Sequence, residues 1–146
     1  MKPAIRVFIA VAIGFLLLPP SAAVASVTIG GLSYSIASVS RASTVGPGQV
    51  QESASSEFIV IRLTVRNKGK EPATISNSDF HLKAGGASYD AASAGTMSGG
   101  FFLENLDPGV SVTGTLLFLV PANTTRSNYR LVVSGNGGAE SKEIPL

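Results

Sequence analysis

Residues 58–67, FIVIRLTVRN, decide the fold of this chain. The odd positions from 59 to 65 hold branched apolar residues, and the even positions include two arginines and a threonine. This alternation with a period of two predicts a β-strand that has one face in a core and the other in water. The β-branched residues also favour a strand over a helix. We therefore expect Ile61 and Leu63 to lie in the core.

A second long strand is predicted over residues 110–120, where the even positions, including Leu116 and Phe118, are mostly apolar. Residues 129–134 show the same pattern. Shorter extended segments lie between turns rich in glycine, proline and asparagine, at residues 27–29, 32–39, 73–75, 80–83, 87–89 and 101–103. About seven to nine short strands of this kind are typical of a β-sandwich, so we predict an all-β, immunoglobulin-like antiparallel sandwich.

The first 25 residues differ from the rest of the chain. A short basic start is followed by an apolar run, Val7 to Leu18, and then by small residues that end at Ala25. This order is typical of a secretory signal peptide cleaved between Ala25 and Ser26. An uncleaved membrane helix is the alternative, but a bilayer requires about 20 apolar residues. The predicted mature domain is residues 26–146, secreted to the periplasm or beyond the cell, without a stable membrane anchor.

Charge and cysteine content narrow the function classes. The chain has 11 basic and 9 acidic side chains, and two of the basic ones, Lys2 and Arg6, belong to the predicted leader. The mature domain is therefore neutral, which argues against a nucleic-acid or anionic-lipid partner. The chain has no cysteine, which excludes a disulfide scaffold and a lipid-modified cysteine.

Two stretches resemble a known bacterial family: FIVIRLTVRNKGKEPATISNSDFHLK at 58–83 and LDPGVSVTGTLLFLVP at 106–121. The family is a widespread secreted or lipid-anchored bacterial domain of unknown function with an immunoglobulin-like fold, related to the mycobacterial immunoprotective extracellular antigen. Its members share the Asp79-Phe80 element and a turn like that at 107–109. Asp107 stands where asparagine is usual, and the lipid-accepting cysteine of many members is missing. The resemblance implies a fold and transfers no catalytic residue.

Few residues in the sequence are of types that could bind a metal ion or take part in catalysis. His81 is the single histidine, and Asp79, Asp90 and Glu104 are the carboxylates that could join it in a metal site. The alternative is a solvent-facing histidine on an edge strand. Ser88 lacks the G-x-S-x-G context of a nucleophilic serine, and no phosphate-binding glycine motif occurs. We therefore predict no catalytic residue, no cofactor and no metal.

One candidate partner surface is apolar. Leu117 and Leu119 lie at the outward positions of the second long strand, and Val60 and Val132 lie at the outward positions of theirs. Adjacent exposed apolar residues often mark a site of association. The alternative is that bulges or a covering N-terminal strand bury them.

The leading functional hypothesis is a secreted, non-enzymatic module that binds a protein or a cell-envelope component. It rests on the predicted export and on two long connections, 44–57 and 90–100, because loops on a rigid scaffold often carry recognition. One alternative is a structural or envelope protein that self-assembles into homo-oligomers. The other is a metal-handling or hydrolytic periplasmic protein.

Overall fold

The computed structural model describes residues 25–42, 44–45, 50–51, 55–92, 103–124, 128–135 and 138–146. Within these ranges the chain forms twelve strands, one 3₁₀ helix and no α-helix. The strands are β1 (Ser26–Ile29), β2 (Leu32–Ala42), β3 (Thr44–Val45), β4 (Val50–Gln51), β5 (Ser56–Asn67), β6 (Ala73–Ser76), β7 (Phe80–Ala84), β8 (Ala87–Asp90), β9 (Leu103–Leu106), β10 (Ser111–Pro121), β11 (Arg130–Gly135) and β12 (Glu140–Pro145). The 3₁₀ helix, η1 (Asn77–Asp79), lies between β6 and β7.

Eight strands form two four-stranded antiparallel sheets. The order in the first sheet is β1-β2-β5-β10, and the order in the second sheet is β12-β11-β7-β8. The other four strands form two ribbons, β3 with β4 and β6 with β9. Side chains from both main sheets meet in one buried cluster, which confirms the predicted all-β sandwich.

The inward positions of β5 and β10 build the centre of the core. Ile61 pairs with Leu116 and Ile59 pairs with Phe118 across the two strands, and all four side chains are fully buried. The second sheet covers them with Phe80, Leu82, Leu131, Val133 and Ile144. Because full burial of one such side chain stabilises a fold by roughly 1.5–3 kcal/mol, this alternation is the main source of stability.

The strand order corresponds to that of an immunoglobulin domain. β2, β5 and β10 take the positions of strands A, B and E, whereas β7, β11 and β12 take those of C, F and G, with β8 as an added C′ strand. The Tyr129 hydroxyl, just before β11, donates a hydrogen bond to the Thr124 carbonyl oxygen at 3.3 Å. This contact is the tyrosine corner of the E–F connection. The immunoglobulin-like arrangement is thus confirmed by topology and by this local contact.

Two elements differ from the sequence-based prediction. β12 was not predicted, because its sequence ESKEIP carries three charged residues and buries only Ile144. Val110 was predicted to face the core as the first residue of a strand, but β10 begins at Ser111 and Val110 is exposed. A segment that pairs along one edge needs few apolar residues, so its pattern is weak in the sequence.

The predicted signal peptide lies mostly outside the described residues, which begin at Ala25. Half of the predicted loop 44–57 and most of the predicted loop 90–100 also lie outside them. The described half of 44–57 is not all loop, because it holds the short strands β3 and β4 and the start of β5. In the part of the chain that the structure describes, no helix has the length and apolar character needed to cross a membrane.

Candidate functional site

A cleft of about 530 Å³ opens at one end of the sandwich, where β5 and β11 end and β2 begins. Its walls come from the β1–β2 hairpin, from residues 67–74 after β5, and from Ser134 and Gly135 at the end of β11. Immunoglobulin domains carry their B–C and F–G loops at this end. Since a concave site with converging polar groups is the default binding site of a domain, we take this cleft as the candidate functional site.

Asn67 holds the wall of the cleft together. Its buried side-chain Nδ2 donates hydrogen bonds to the carbonyl oxygens of Glu71 at 2.7 Å and Leu106 at 2.9 Å. Its Oδ1 accepts a hydrogen bond from the Gly69 N–H at 2.8 Å. One amide therefore fixes the turn after β5 and ties it to the end of β9.

The backbone of Asn67 joins the two stretches that carry the family resemblance. Its N–H donates to the Val110 carbonyl oxygen at 2.9 Å, and its carbonyl oxygen accepts from the Gly109 N–H at 2.8 Å. The turn after the long strand and the Asp107-Pro108-Gly109 turn are thus in direct contact. These motifs organise the end of the sandwich, which explains why they are informative about the fold.

Tyr34 forms part of the cleft floor. The residue is 1% exposed, and its ring packs edge-on against Phe80 with ring centroids 6.0 Å apart. Burial, together with the negative charge of Asp79, raises the pKa of Tyr34 to about 12. Tyr34 therefore stays a neutral phenol throughout the physiological range, and it can act as a hydrogen-bonding group without titrating.

Asp79 and the rim residues complete the lining. One carboxylate oxygen of Asp79 accepts a hydrogen bond from the Ser76 N–H at 2.8 Å, which fixes Asp79 at the end of η1. Lys70, Glu71 and Thr74 lie exposed at the rim. The cleft thus combines an apolar and phenolic floor with a rim of both charge signs, an arrangement suited to binding.

His81 lies outside the cleft, on the outer side of the second sheet. Its Nδ1 lies 2.8 Å from an Asp90 carboxylate oxygen, because the two residues are direct partners in the β7–β8 register. The expectation that His81 lies on an edge strand is wrong, since β7 lies between β11 and β8. The side chain of Asp90 is 88% exposed, so the pair is a surface contact.

The structure separates the other residues proposed for metal binding or catalysis. Asp79 is engaged with Ser76, and Glu104 lies on β9, in a ribbon apart from β7. Ser88 pairs with Lys83 in the β7–β8 register. Among the described residues, no three His, Cys, Asp or Glu side chains gather in a way that could hold a metal ion. The prediction that the protein uses no metal stays a prediction.

The apolar candidate surface is not a single patch. Leu117 pairs with Val60 on the first sheet, but Leu117 is 1% exposed and Val60 is half-buried. Leu119 is 36% exposed, whereas Val132 is half-buried and belongs to the second sheet. The described N-terminal strands, β1 and β2, do not cover these residues, because they lie beside β5 in the same sheet. Alternation predicts the face of a side chain but not its solvent exposure.

Sequence reasoning missed the two residues that define the cleft. Tyr34 belongs to a predicted strand, yet its burial next to Phe80 depends on a residue 46 positions away. Asn67 was expected only as the last residue of the 58–67 strand, although its side chain bonds the distant Leu106. A usable signal was an asparagine directly after a buried alternating strand, because amides are favoured where turns need side-chain hydrogen bonds.

Several solved structures share the fold. A candidate lipoprotein (ycdA) from Bacillus subtilis has a TM-score of 0.66 and 20% identity over 82% of this chain and 37% of its own, so the present chain spans little more than a third of it. The yjhA protein from Bacillus subtilis has a TM-score of 0.57 and 20% identity, over 75% of this chain and 76% of its own. A conserved hypothetical protein from Bacillus anthracis has a TM-score of 0.59 and 14% identity, over 82% of this chain and 91% of its own.

At these identities the likeness concerns the fold alone. No curated protein matches the chain. A family model, in contrast, matches residues 25–144, which include both main sheets and the cleft. The chain therefore belongs to the family described as Domain of unknown function (DUF4352).

Proposed function

We propose that the protein is a non-enzymatic, extracytoplasmic binding module that recognises a protein or a cell-envelope component through the cleft. The observation that carries this proposal is the cleft itself. The wall that follows β5 is fixed by the Asn67 hydrogen bonds, and the floor includes the neutral side chain of Tyr34. A preformed site loses little conformational entropy on binding, which favours recognition at this end.

The location outside the cytoplasm has two supports. Residues 1–25 have the three-part pattern of a secretory leader, and one structural neighbour is described as a candidate lipoprotein. The relationship to the mycobacterial immunoprotective extracellular antigen stays a prediction made from the resemblance of two sequence stretches.

The absence of enzymatic activity is also part of the proposal. Its support is the disposition of the described residues around the cleft, where Asp79 is occupied by a backbone N–H and His81 lies elsewhere. General acid–base or nucleophilic catalysis needs two such groups within hydrogen-bonding reach of one reacting atom.

Site-specific photo-crosslinking tests the proposal. A photoreactive amino acid is placed at Thr74, which lies exposed on the cleft rim, and the purified protein is mixed with an envelope extract. The same amino acid at Ser88, exposed on β8, gives the matched control. We expect a discrete adduct from Thr74 alone, and we expect an excess of the unlabelled protein to suppress it.

Two outcomes would reject the proposal. One is the same set of adducts from both positions, which would mean nonspecific contact. The other is no adduct from Thr74 in the presence of an efficient control crosslinking reaction between known partners.

Self-assembly is a second proposal, supported by the exposed side chain of Leu119. A dimer seen by light scattering that is broken by Leu119→Lys would favour it. Leu117 does not serve for this test, because a charge at this buried position would destabilise the fold itself. A mass that does not change with protein concentration and equals that of the monomer would reject self-assembly.

A further inference from the structure

The outer face of the first sheet is polar in the half that lies nearer the cleft. Three adjacent rows cross the sheet there: Ser26, Ser35, Thr64 and Thr113; Thr28, Ser33, Arg66 and Ser111; and Ser38, Arg62 and Thr115. Each of these residues is serine, threonine or arginine. We call this surface the hydroxyl face. A hydrogen bond of 2.8 Å between the Thr64 and Thr113 hydroxyls confirms that neighbouring strands direct these side chains to the same side.

Among the described residues, no acidic side chain compensates the two arginines of the hydroxyl face. Arg62 and Arg66 are exposed, and neither forms an ion pair or a hydrogen bond with any residue that the structure describes. The three rows contain no carboxylate. Four residues apart on one strand, the two side chains start about 13 Å from each other. The face therefore presents two separated, available guanidinium groups among hydroxyl donors.

The outer face of the second sheet shows what a compensated surface looks like in the same protein. There Lys83 contacts Glu143, Arg130 lies 3.8 Å from the same carboxylate, and His81 contacts Asp90. The lysine and the arginine on that face are thus paired with an acid. The lack of such pairing on the hydroxyl face is consequently a local property of one sheet.

The composition of the hydroxyl face points to an anionic polymer as its ligand. The fully buried centre of a protein interface is typically apolar, and these rows offer no aliphatic or aromatic side chain. Single-stranded nucleic acid would require aromatic side chains for base stacking, and the rows offer none of these either. Guanidinium groups and hydroxyls, in contrast, are the groups that bind phosphate oxygens, with arginine often donating two parallel hydrogen bonds.

We propose that the hydroxyl face binds a polyanion of the cell envelope whose repeating units are joined by phosphodiester groups. One phosphodiester lies on Arg62 and another on Arg66, with the hydroxyls between them donating to the connecting units. The choice of an envelope polymer rests on the extracytoplasmic location proposed above. No residue of the three rows lines the cleft, so variants of the two sites can fail independently.

Calorimetric titration with poly(glycerol phosphate) tests this inference. We expect the purified protein to bind, and the logarithm of the association constant to fall with the logarithm of salt concentration with a slope of about −1.4, as expected for two neutralised phosphates. The double variant Arg62→Thr/Arg66→Thr should lose about thirtyfold in affinity and most of the salt dependence. Polyglutamate of matched charge should bind more weakly than the phosphodiester polymer.

The matched control removes the same charge from the other face. Lys83→Thr/Arg130→Thr should leave the affinity within about twofold, because these groups already have a carboxylate partner. An equal loss in both double variants would overturn the inference. So would polyglutamate or single-stranded DNA that binds as tightly as the phosphodiester polymer.

A variant that adds a positive charge keeps the inference testable if the Arg62→Thr/Arg66→Thr variant misfolds. Thr113→Arg adds a third arginine to the face and should tighten binding about fivefold, and no change would also overturn the inference.

Discussion

The two ends of the sandwich are fixed by different chemistry. At the cleft end, the uncharged and buried side chain of Asn67 makes three hydrogen bonds to backbone groups. At the opposite end, the Arg41 guanidinium contacts a Glu57 carboxylate oxygen at 2.5 Å, the Thr124 carbonyl oxygen at 2.9 Å and the Tyr129 hydroxyl at 3.0 Å. In both cases one side chain ties together segments that are far apart in the sequence.

The Asn67 and Arg41 side chains differ in charge and in whether each of their polar atoms has a hydrogen-bond partner among the described residues. The Asn67 amide donates through Nδ2 and accepts through Oδ1, and all its partners are neutral backbone groups. Neither pH nor salt should therefore weaken these hydrogen bonds. Arg41 is a charge that is only 24% exposed, and its Nε has no partner among the described residues. It depends on the Glu57 carboxylate and on the Tyr129 ring 5.7 Å away for compensation. A neutral clamp therefore supports the cleft, and an ionic clamp closes the other end.

The largest expected effect comes from breaking the neutral clamp. Asn67→Ala leaves the Glu71 and Leu106 carbonyl oxygens and the Gly69 N–H without their partner, and we expect a loss of about 3 kcal/mol in unfolding free energy. Asn105→Ala is the control, because Asn105 is exposed on β9 and should change stability by less than about 0.5 kcal/mol. Urea unfolding measures both. A loss below about 1 kcal/mol for Asn67→Ala would show that the clamp is not central.

Breaking the ionic clamp should have a smaller effect that depends on salt. Arg41→Met leaves Glu57 partly buried without its cation, and we expect a loss of about 2 kcal/mol at low ionic strength. Part of this loss should disappear in 1 M salt, which screens the ion pair of the parent protein, whereas the loss from Asn67→Ala should not change. Arg130→Met, at a half-exposed arginine, serves as the control. Equal salt dependence of the Arg41 and Asn67 variants would contradict the distinction between the two ends.

Alkaline pH should sharpen the comparison at the cleft end. Because the pKa of Tyr34 is raised to about 12 from an ordinary value of 10, the folded state retains the phenolic proton that the unfolded state loses. This contribution is fully present below pH 10 and is lost as the pH rises from 10 to 12, with a total of about 2 kcal/mol.

The measurement compares unfolding free energies of the parent protein and Tyr34→Phe from pH 8 to pH 12. The parent should lose stability relative to the variant above pH 10, and Tyr89→Phe, which retains Tyr34, should follow the parent. Parallel curves for the parent protein and Tyr34→Phe would mean that burial of Tyr34 does not oppose its ionisation.

Much of the fold could be predicted from the sequence because its strands are long and half-buried. The alternation in β5 and β10 identifies the core residues Ile61 and Leu116 directly, since one face of each strand packs inward. β12 could not be predicted in this way, because a strand that buries only Ile144 has no period to detect.

The cleft and both clamps depend on contacts that no local pattern contains. Arg41 reaches partners 16, 83 and 88 positions away, and these become neighbours only after the two sheets have formed. The same reason explains Leu117, whose outward position follows from alternation but whose burial depends on the tertiary environment. Predicting the cleft and the clamps would therefore require the order of the strands in the two sheets. The turns and the strand lengths do not determine this order.

The smallest expected effect compares the hairpin turns of the two ends. Gly31, in the β1–β2 turn at the cleft end, and Gly86, in the β7–β8 turn at the other, have φ values of +83° and +82°. Alanine at either position adopts the left-handed region and should cost about 1 kcal/mol in unfolding free energy. At Gly31 the new Cβ would also lie 3.2 Å from the Gly69 Cα, whereas at Gly86 it meets nothing within 4 Å. In urea unfolding we expect Gly31→Ala to lose about 1 kcal/mol more unfolding free energy than Gly86→Ala, because Gly69 is held in place by Asn67.

The same two substitutions in the Asn67→Ala background test whether this extra loss depends on the neutral clamp. The extra loss should shrink there, since the segment around Gly69 is then free to move. An unchanged difference would show that the close approach is independent of the neutral clamp.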